Sequence, residues 1–207
     1  MIFEEIAVGP LSVNCFVLGC ESSHDGIVVD PGGDVELIEQ AVRKHRLKIS
    51  SIINTHGHFD HVGGNRRAVE SFGARLLIHQ ADAYLLGKIS EVAGMYGMAG
   101  ENSPEPDKFL YDDMEMTIGD YVLKVLHTPG HTLGGCCFYI KKENMIITGD
   151  TLFADSIGRT DFPGGSHEQL LDSIRTKLFN LPEDVTAYPG HGPKTTIGHE
   201  KNCNPYF

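Results

Sequence analysis

The stretch Ile52-Ile53-Asn54-Thr55-His56-Gly57-His58-Phe59-Asp60-His61-Val62-Gly63-Gly64 decides how this chain is read. An apolar run stops, and three histidines and an aspartate follow within six positions. Imidazole nitrogens and a carboxylate oxygen form a donor set that suits zinc and similar divalent ions. Four donors at this spacing cannot share one face of a helix, and strand alternation would turn His61 away. An irregular loop at the end of a strand can converge all four. Ile49 to Asn54 is therefore read as a strand that delivers the loop.

Working outward, short β-prone runs precede this loop: Ile2 to Val8, Asn14 to Leu18 and Gly26 to Asp30, with turn signals at Gly9-Pro10 and Asp30-Pro31-Gly32-Gly33. Asp34 is expected to cap a helix running to about Arg46, with Val35, Ile38, Ala41, Val42 and His45 on its inner side. Gly63-Gly64 opens another helix to about Phe72, and Arg75 to His79 is a further strand. Gln80 to Gly100 reads as broken helix, and Asn102 to Asp107 as a loop. The second half repeats the pattern, with strands at Met114 to Ile118, Tyr121 to His127, Gly135 to Ile140 and Met145 to Thr148. A helix from Ser166 to Asn180 buries Leu170, Ile174 and Leu178. Val185 to Tyr188 is the last strand, and a short helix ends the chain. Two β-rich halves with helices outside make a layered α/β sandwich, read as one domain over residues 1–207.

Bulk properties narrow the function. A net charge of −11 argues against binding nucleic acid or an anionic membrane through a basic surface. No apolar run reaches membrane-spanning length, and the opening Met1-Ile2-Phe3-Glu4-Glu5 carries acids where a signal peptide needs bases. The five cysteines, Cys15, Cys20, Cys136, Cys137 and Cys203, are odd in number and form no C-x-x-C pair. This predicts neither a disulfide framework nor a structural zinc site; Cys15 and Cys136, in apolar runs, are expected in the core, and a cytoplasmic location is expected.

Three more donors sit at strand ends beside turn residues: His131 in His127-Thr128-Pro129-Gly130-His131-Thr132, Asp150 in Thr148-Gly149-Asp150-Thr151, and His191 in Pro189-Gly190-His191-Gly192. Loops at the ends of a rigid sheet are where reactive groups are normally placed. One ion rarely takes seven such side chains. Two divalent ions, zinc first and iron or manganese otherwise, accommodate them. His56, His58 and His131 would hold one, Asp60, His61 and His191 the other, and Asp150 would bridge. Such a pair binds a hydroxide and polarises a carbonyl or phosphoryl oxygen, which is the chemistry of hydrolysis.

The ordered set His56-Gly57-His58-Phe59-Asp60-His61, His131, Asp150, His191 resembles the H-x-H-x-D-H…H…D…H signature of the metallo-β-lactamase superfamily. The resemblance implies an αβ/βα sandwich of two mixed sheets, with the metal site at one edge. The block from Gly149 to Asp161 resembles the glyoxalase II-like branch, which implies a hydrolase of small thioesters such as S-lactoylglutathione. Asp60 would both bind metal and orient the attacking hydroxide. Full-length glyoxalase II carries a basic C-terminal helical extension that grips glutathione; this chain has only Lys194 and Lys201 after His191. Gly158-Arg159-Thr160-Asp161-Phe162 also resembles persulfide dioxygenases, in which one iron would be held by His56, His131 and Asp150. A non-enzymatic metal-binding module is the third alternative.

Arg159 is a candidate clamp for a substrate carboxylate, with pairing to Asp155 or Asp161 as its structural alternative. Asp30 is either a turn residue or an acceptor for a ligand histidine. His24, His45, His79, His127, His167 and His199 are expected to be structural or surface residues.

Overall fold

A computed structural model describes residues 1–207. Its first sheet holds β1 (Ile2–Val8), β2 (Val13–Gly19), β3 (Asp25–Val29), β4 (Lys48–Ile53), β5 (Arg75–His79) and β6 (Lys108–Leu110), in that spatial order. β1 to β3 are antiparallel, and β3 to β6 are parallel. Helix α1 (Val35–His45) links β3 to β4; α2 (Phe59–Val62) and α3 (Asn65–Phe72) link β4 to β5. A 3-10 segment, Gln80–Lys88, and α4 (Ile89–Met95) lead towards β6.

The second half adds β7 (Glu115–Ile118), β8 (Tyr121–His127), β9 (Cys136–Ile140) and β10 (Met145–Gly149). A small hairpin of β11 (Leu152–Phe153) and β12 (Ser156–Ile157) follows, then α5 (His167–Ser173). β13 (Thr186–Pro189), β14 (Thr195–Thr196) and α6 (Ile197–Cys203) complete the chain. The second sheet runs β14-β13-β10-β9-β8-β7, with only the β10–β13 pair parallel.

Three apolar layers hold this sandwich together. Every residue of β2 is buried, because both faces of the strand are covered. Val13, Cys15 and Val17 pack under α1 and α3, while Phe16 and Leu18 meet the opposite sheet. β9 does the same: Cys136, Phe138 and Ile140 face the space between the sheets, and Cys137 and Tyr139 lie against α5. Truncating a fully buried ring such as Phe138 to alanine costs about 3–5 kcal/mol in sites of this kind. The thiols are unpaired, and burial pushes those of Cys15 and Cys136 well up.

Several local expectations change. Asp34 precedes α1, but its side chain makes no cap; its backbone is left-handed (φ 42°) and its carboxylate accepts from Gly9 N at 2.8 Å. The inner stripe of α1 is Val35, Ile38, Ala41 and Val42. His45 instead reaches Glu4 at the surface. The expected Ser166–Asn180 helix is capped by Ser166 Oγ and buries Leu170, Ile174 and Leu178 as expected, but it widens into a π turn at Ile174–Leu178. The short strands β6, β11, β12 and β14 lack the length that makes periodicity visible. No helix is long and apolar enough to cross a membrane.

Parallel pairing puts the C-terminal ends of β3 and β4 side by side, and those of β8, β10 and β13 at one end of the second sheet. The loops that leave these strands converge there.

Candidate metal centre

All seven donors predicted from the sequence meet at this edge. They form three overlapping groups, each with its donor atoms within 4.8 Å of one another: His56, His58 and His131; His56, His61 and Asp150; Asp60, His61 and His191. In the first, His58 Nδ1 lies 3.1 Å from His56 Nε2 and 2.9 Å from His131 Nε2. In the third, Asp60 Oδ2 lies 3.2 Å from His191 Nε2 and 3.8 Å from His61 Nε2. Asp150 stands between the groups, with Oδ1 3.3 Å from His61 Nε2 and Oδ2 3.5 Å from His131 Nε2. The stretch is not wholly irregular: His56 to His58 bend away from β4, and one helical turn, α2, then carries Asp60 and His61. A single turn lets the donors after His58 face back towards the strand ends.

Each ring is held by its other nitrogen or by its loop. Asp30, buried at the end of β3, accepts from Thr55 N at 2.8 Å and from Thr55 Oγ1 at 2.6 Å, and receives His61 Nδ1 at 2.9 Å. Thr55 Oγ1 in turn lies 3.1 Å from His56 Nδ1. One carboxylate thereby fixes both rings with Nε2 towards the cluster, a usual arrangement around metal-binding histidines. His131 Nδ1 donates to the Arg159 carbonyl at 2.7 Å, which gives the Gly158-Arg159 segment a structural task. Asn14 Nδ2 donates to the Pro189 and Gly192 carbonyls, and Asn14 N to Gly190 O, tying the His191 turn to β2. Gly190 cannot carry a side chain: a Cβ there would lie 2.4 Å from Asp150 Oδ1.

The charges divide the cluster. Burial, helped by repulsion from neighbouring imidazoles, pushes His56 well down and His58 down to about 4, so both present lone pairs at neutral pH. Burial also works against a charge on His61. The carboxylates of Asp150, Asp60 and Asp30 overcome it and hold this ring well above the usual histidine range. The hydrogen bond to Asp60 raises His191. Asp60 and Asp150 resist the upward push of burial because His61 and its neighbours lower them.

A cation fits this geometry. His61 Nε2 and Asp150 Oδ1 are buried, face each other and have no hydrogen-bond partner. In the neutral ring, with Nδ1–H committed to Asp30, Nε2 would offer a lone pair to an acceptor oxygen. A proton or a metal ion between them removes the conflict, and the surrounding imidazole and carboxylate donors are those that divalent ions take.

Around the mouth, Phe59 stacks on exposed Tyr96 at 5.6 Å and Phe162 meets His58 edge-on at 5.6 Å. The Met95–Tyr96 end of α4 is exposed, and Tyr96 reaches the site through Phe59. Arg159 lies over the Phe162 ring at 3.8 Å, with its Nε and NH2 on the two carboxylate oxygens of Asp161 at 2.7 and 2.6 Å. Its guanidinium is held by its own loop. His79 and His127 stack on each other at 4.1 Å, outside the donor groups. Sequence reasoning passed over Asn14, Thr55 and Asp82. Asn14 had a signal, a polar residue inside the apolar run Val13-Asn14-Cys15-Phe16. Asp82, buried beneath the histidine loop, had none beyond its place in a broken helix.

Residues 8–191 match the metallo-beta-lactamase superfamily. This chain belongs to that superfamily. Members similar over the full length include the hydroxyacylglutathione hydrolase GloC of Haemophilus influenzae, 35% identical over 100% of this chain and 98% of that one. Among solved structures, the BLEG-1 B3 metallo-beta-lactamase superposes with a TM-score of 0.91 at 35% identity, covering 99% of both chains. TTHA1623 in a di-iron-bound form gives 0.90 at 32%, covering 99% of this chain and 100% of that one. ETHE1 from Myxococcus xanthus gives 0.82 at 28%, covering 99% and 84%. The superfamily fold agrees with the two mixed sheets and outer helices described above, and the superfamily binds divalent metals.

Proposed function

We propose that this chain is a metal-dependent hydrolase of small acyl thioesters of the S-lactoylglutathione type. The observation that carries the reading is the pair of three-donor groups with Asp150 between them. Similarity to the Haemophilus hydroxyacylglutathione hydrolase supports the thioester, and similarity to TTHA1623 in its di-iron form supports two ions. Zinc is the first choice for both positions, with iron or manganese compatible with the same donors.

When bound, the ions would polarise the thioester carbonyl and bring the pKa of an attacking water towards neutrality. The chain's own groups do the rest. His56 and His58 supply neutral donors beside His131, and Asp60, His61 and His191 supply a carboxylate-bearing set. Asp60, steadied by His191, orients the water and takes its proton. Phe59, Tyr96 and Phe162 form apolar walls that keep bulk water from the acyl group. Arg159, paired with Asp161 beside this mouth, is the group through which a substrate carboxylate would be met, by exchange of partners. The unpaired thiols fit a reducing, cytoplasmic setting.

The test is thiol release from S-lactoylglutathione and a panel of other acyl thioesters by protein loaded with zinc, iron or manganese. Release from none of them overturns the reading. The panel includes a β-lactam, given the likeness to BLEG-1. A second reading, a persulfide dioxygenase with one iron on His56, His131 and Asp150, draws on Gly158-Arg159-Thr160-Asp161-Phe162 and on the likeness to ETHE1. One iron per chain with oxygen uptake on glutathione persulfide would establish it over hydrolysis.

A further inference from the structure

Asp82 is a carboxylate with 1% of its surface exposed, beneath the metal centre and outside all three donor groups. It comes from the 3-10 segment after β5, an element that supplies no donor. Three hydrogen bonds reach it, at least one on each oxygen. Oδ2 accepts from Gly57 N at 3.0 Å and from Thr132 Oγ1 at 2.7 Å; Oδ1 accepts from Gly134 N at 2.7 Å. Gly57 lies between His56 and His58, and Thr132 follows His131. The carboxylate thus bridges the two loops that carry the first three-histidine group; its bond to the His56–His61 stretch falls at Gly57, before the α2 turn that carries Asp60 and His61, and it makes no bond to the His191 turn. The fit is close: a Cβ on Gly134 would sit 2.7 Å from Asp82 Cγ.

Burying a carboxylate is costly, and burial raises this one above the usual range despite its three donors. A neutral side chain would tie loops at lower cost, but with fewer acceptor sites in this space. Asparagine would turn an NH2 group towards either Gly57 N or Gly134 N, placing donor against donor.

We infer that Asp82 is a positioning residue for one half of the metal centre, setting the spacing of His58 from His131 and so the affinity of the three-histidine group alone. The inference rests on the two-ion reading of the site. It assigns the halves separate supports: Asp82 spans the loops of one, and Asn14 holds the His191 turn of the other.

The experiment is calorimetric titration of metal-stripped, full-length protein with zinc chloride alone, for wild type, Asp82→Asn and Thr132→Val. Expected are two equivalents in wild type. In Asp82→Asn one equivalent weakens by roughly 10–100-fold, the range for lost outer partners of metal ligands, while the other is unchanged. Thr132→Val, which removes one of the three donors and keeps the shape, weakens the same equivalent by less. At a zinc concentration that fills only the stronger site of Asp82→Asn, adding His191→Ala abolishes the remaining equivalent and adding His58→Ala does not. Equal weakening of both equivalents, as a general loosening of the fold would give, overturns the inference. So does unchanged affinity in Asp82→Asn and Thr132→Val. If wild type binds fewer than two ions, the two-ion reading fails and the inference with it; if wild type binds two and the variants match it, only the inference fails.

Discussion

The two halves of the metal centre both rest on imidazoles, three in one and two beside Asp60 in the other, and those imidazoles reach opposite electrostatic states. His56, His58 and His131 come from loops at the ends of β4 and β8, and burial among other imidazoles drives His56 and His58 to the neutral form. His61 and His191 stand against Asp60, and their protons are held. The difference comes from carboxylate placement rather than depth: His56 and His61 are equally buried, at 1% and 0% exposure. Low dielectric amplifies whatever charge is nearest, so a neighbouring acid decides whether a buried imidazole presents a lone pair or a proton.

Removing what the halves share breaks the comparison most completely. Asp150→Ala is expected to release both ions and abolish thioester hydrolysis, measured by elemental analysis alongside thiol release. Binding of two ions by this variant would show that Asp150 bridges nothing. Next come the single-half changes. His58→Ala should lose one ion and keep the Asp60, His61 and His191 ion; His191→Ala should do the reverse. Loss of both ions in each case would mean that the halves are one coupled site.

Asp30 reaches across the division, holding His61 directly and His56 through Thr55. Asp30→Ala leaves buried donors without an acceptor, and about 3–5 kcal/mol of stability should go, read from denaturant unfolding of the metal-free protein. Zinc affinity should fall roughly 10–100-fold in both halves rather than one.

The smallest effect lies outside the seven donors. The hydrogen bond from His199 to Asp155, 2.7 Å at the exposed start of α6, raises the pKa of that imidazole. Its folded value is above its unfolded one, so the pair stabilises fully below the unfolded pKa and the contribution fades as pH rises through the folded value. His199→Gln should therefore lower the melting temperature slightly at about pH 5 and leave it unchanged at about pH 9, with zinc binding unaffected at either. A zinc effect would mean that the periphery and the centre are not independent.

The sequence carried much of this organisation in readable form. Donor spacing around His56 to His61, and single donors beside Gly or Pro at three strand ends, pointed to the seven side chains that the fold brings together, because strands and turns leave strong local patterns. The burial of β2 on both faces was legible only as an apolar run, since covering both sides erases the alternation that marks a strand. Asp82 was not legible as a site residue, and Asn14 only as a polar residue inside an apolar run. Their partners are 25 to 178 positions away, and no local pattern records a bond across that distance.

By itself, then, the sequence determined the longer elements, the donor types and the loops that hold them, because these follow from local chemistry and periodicity. Only the tertiary structure decided how the donors divide: which imidazole faces which carboxylate, which nitrogen is left free, and which buried group spaces the loops. Those are properties of a dielectric environment and of distances across two sheets, and both come into being only when the chain has folded.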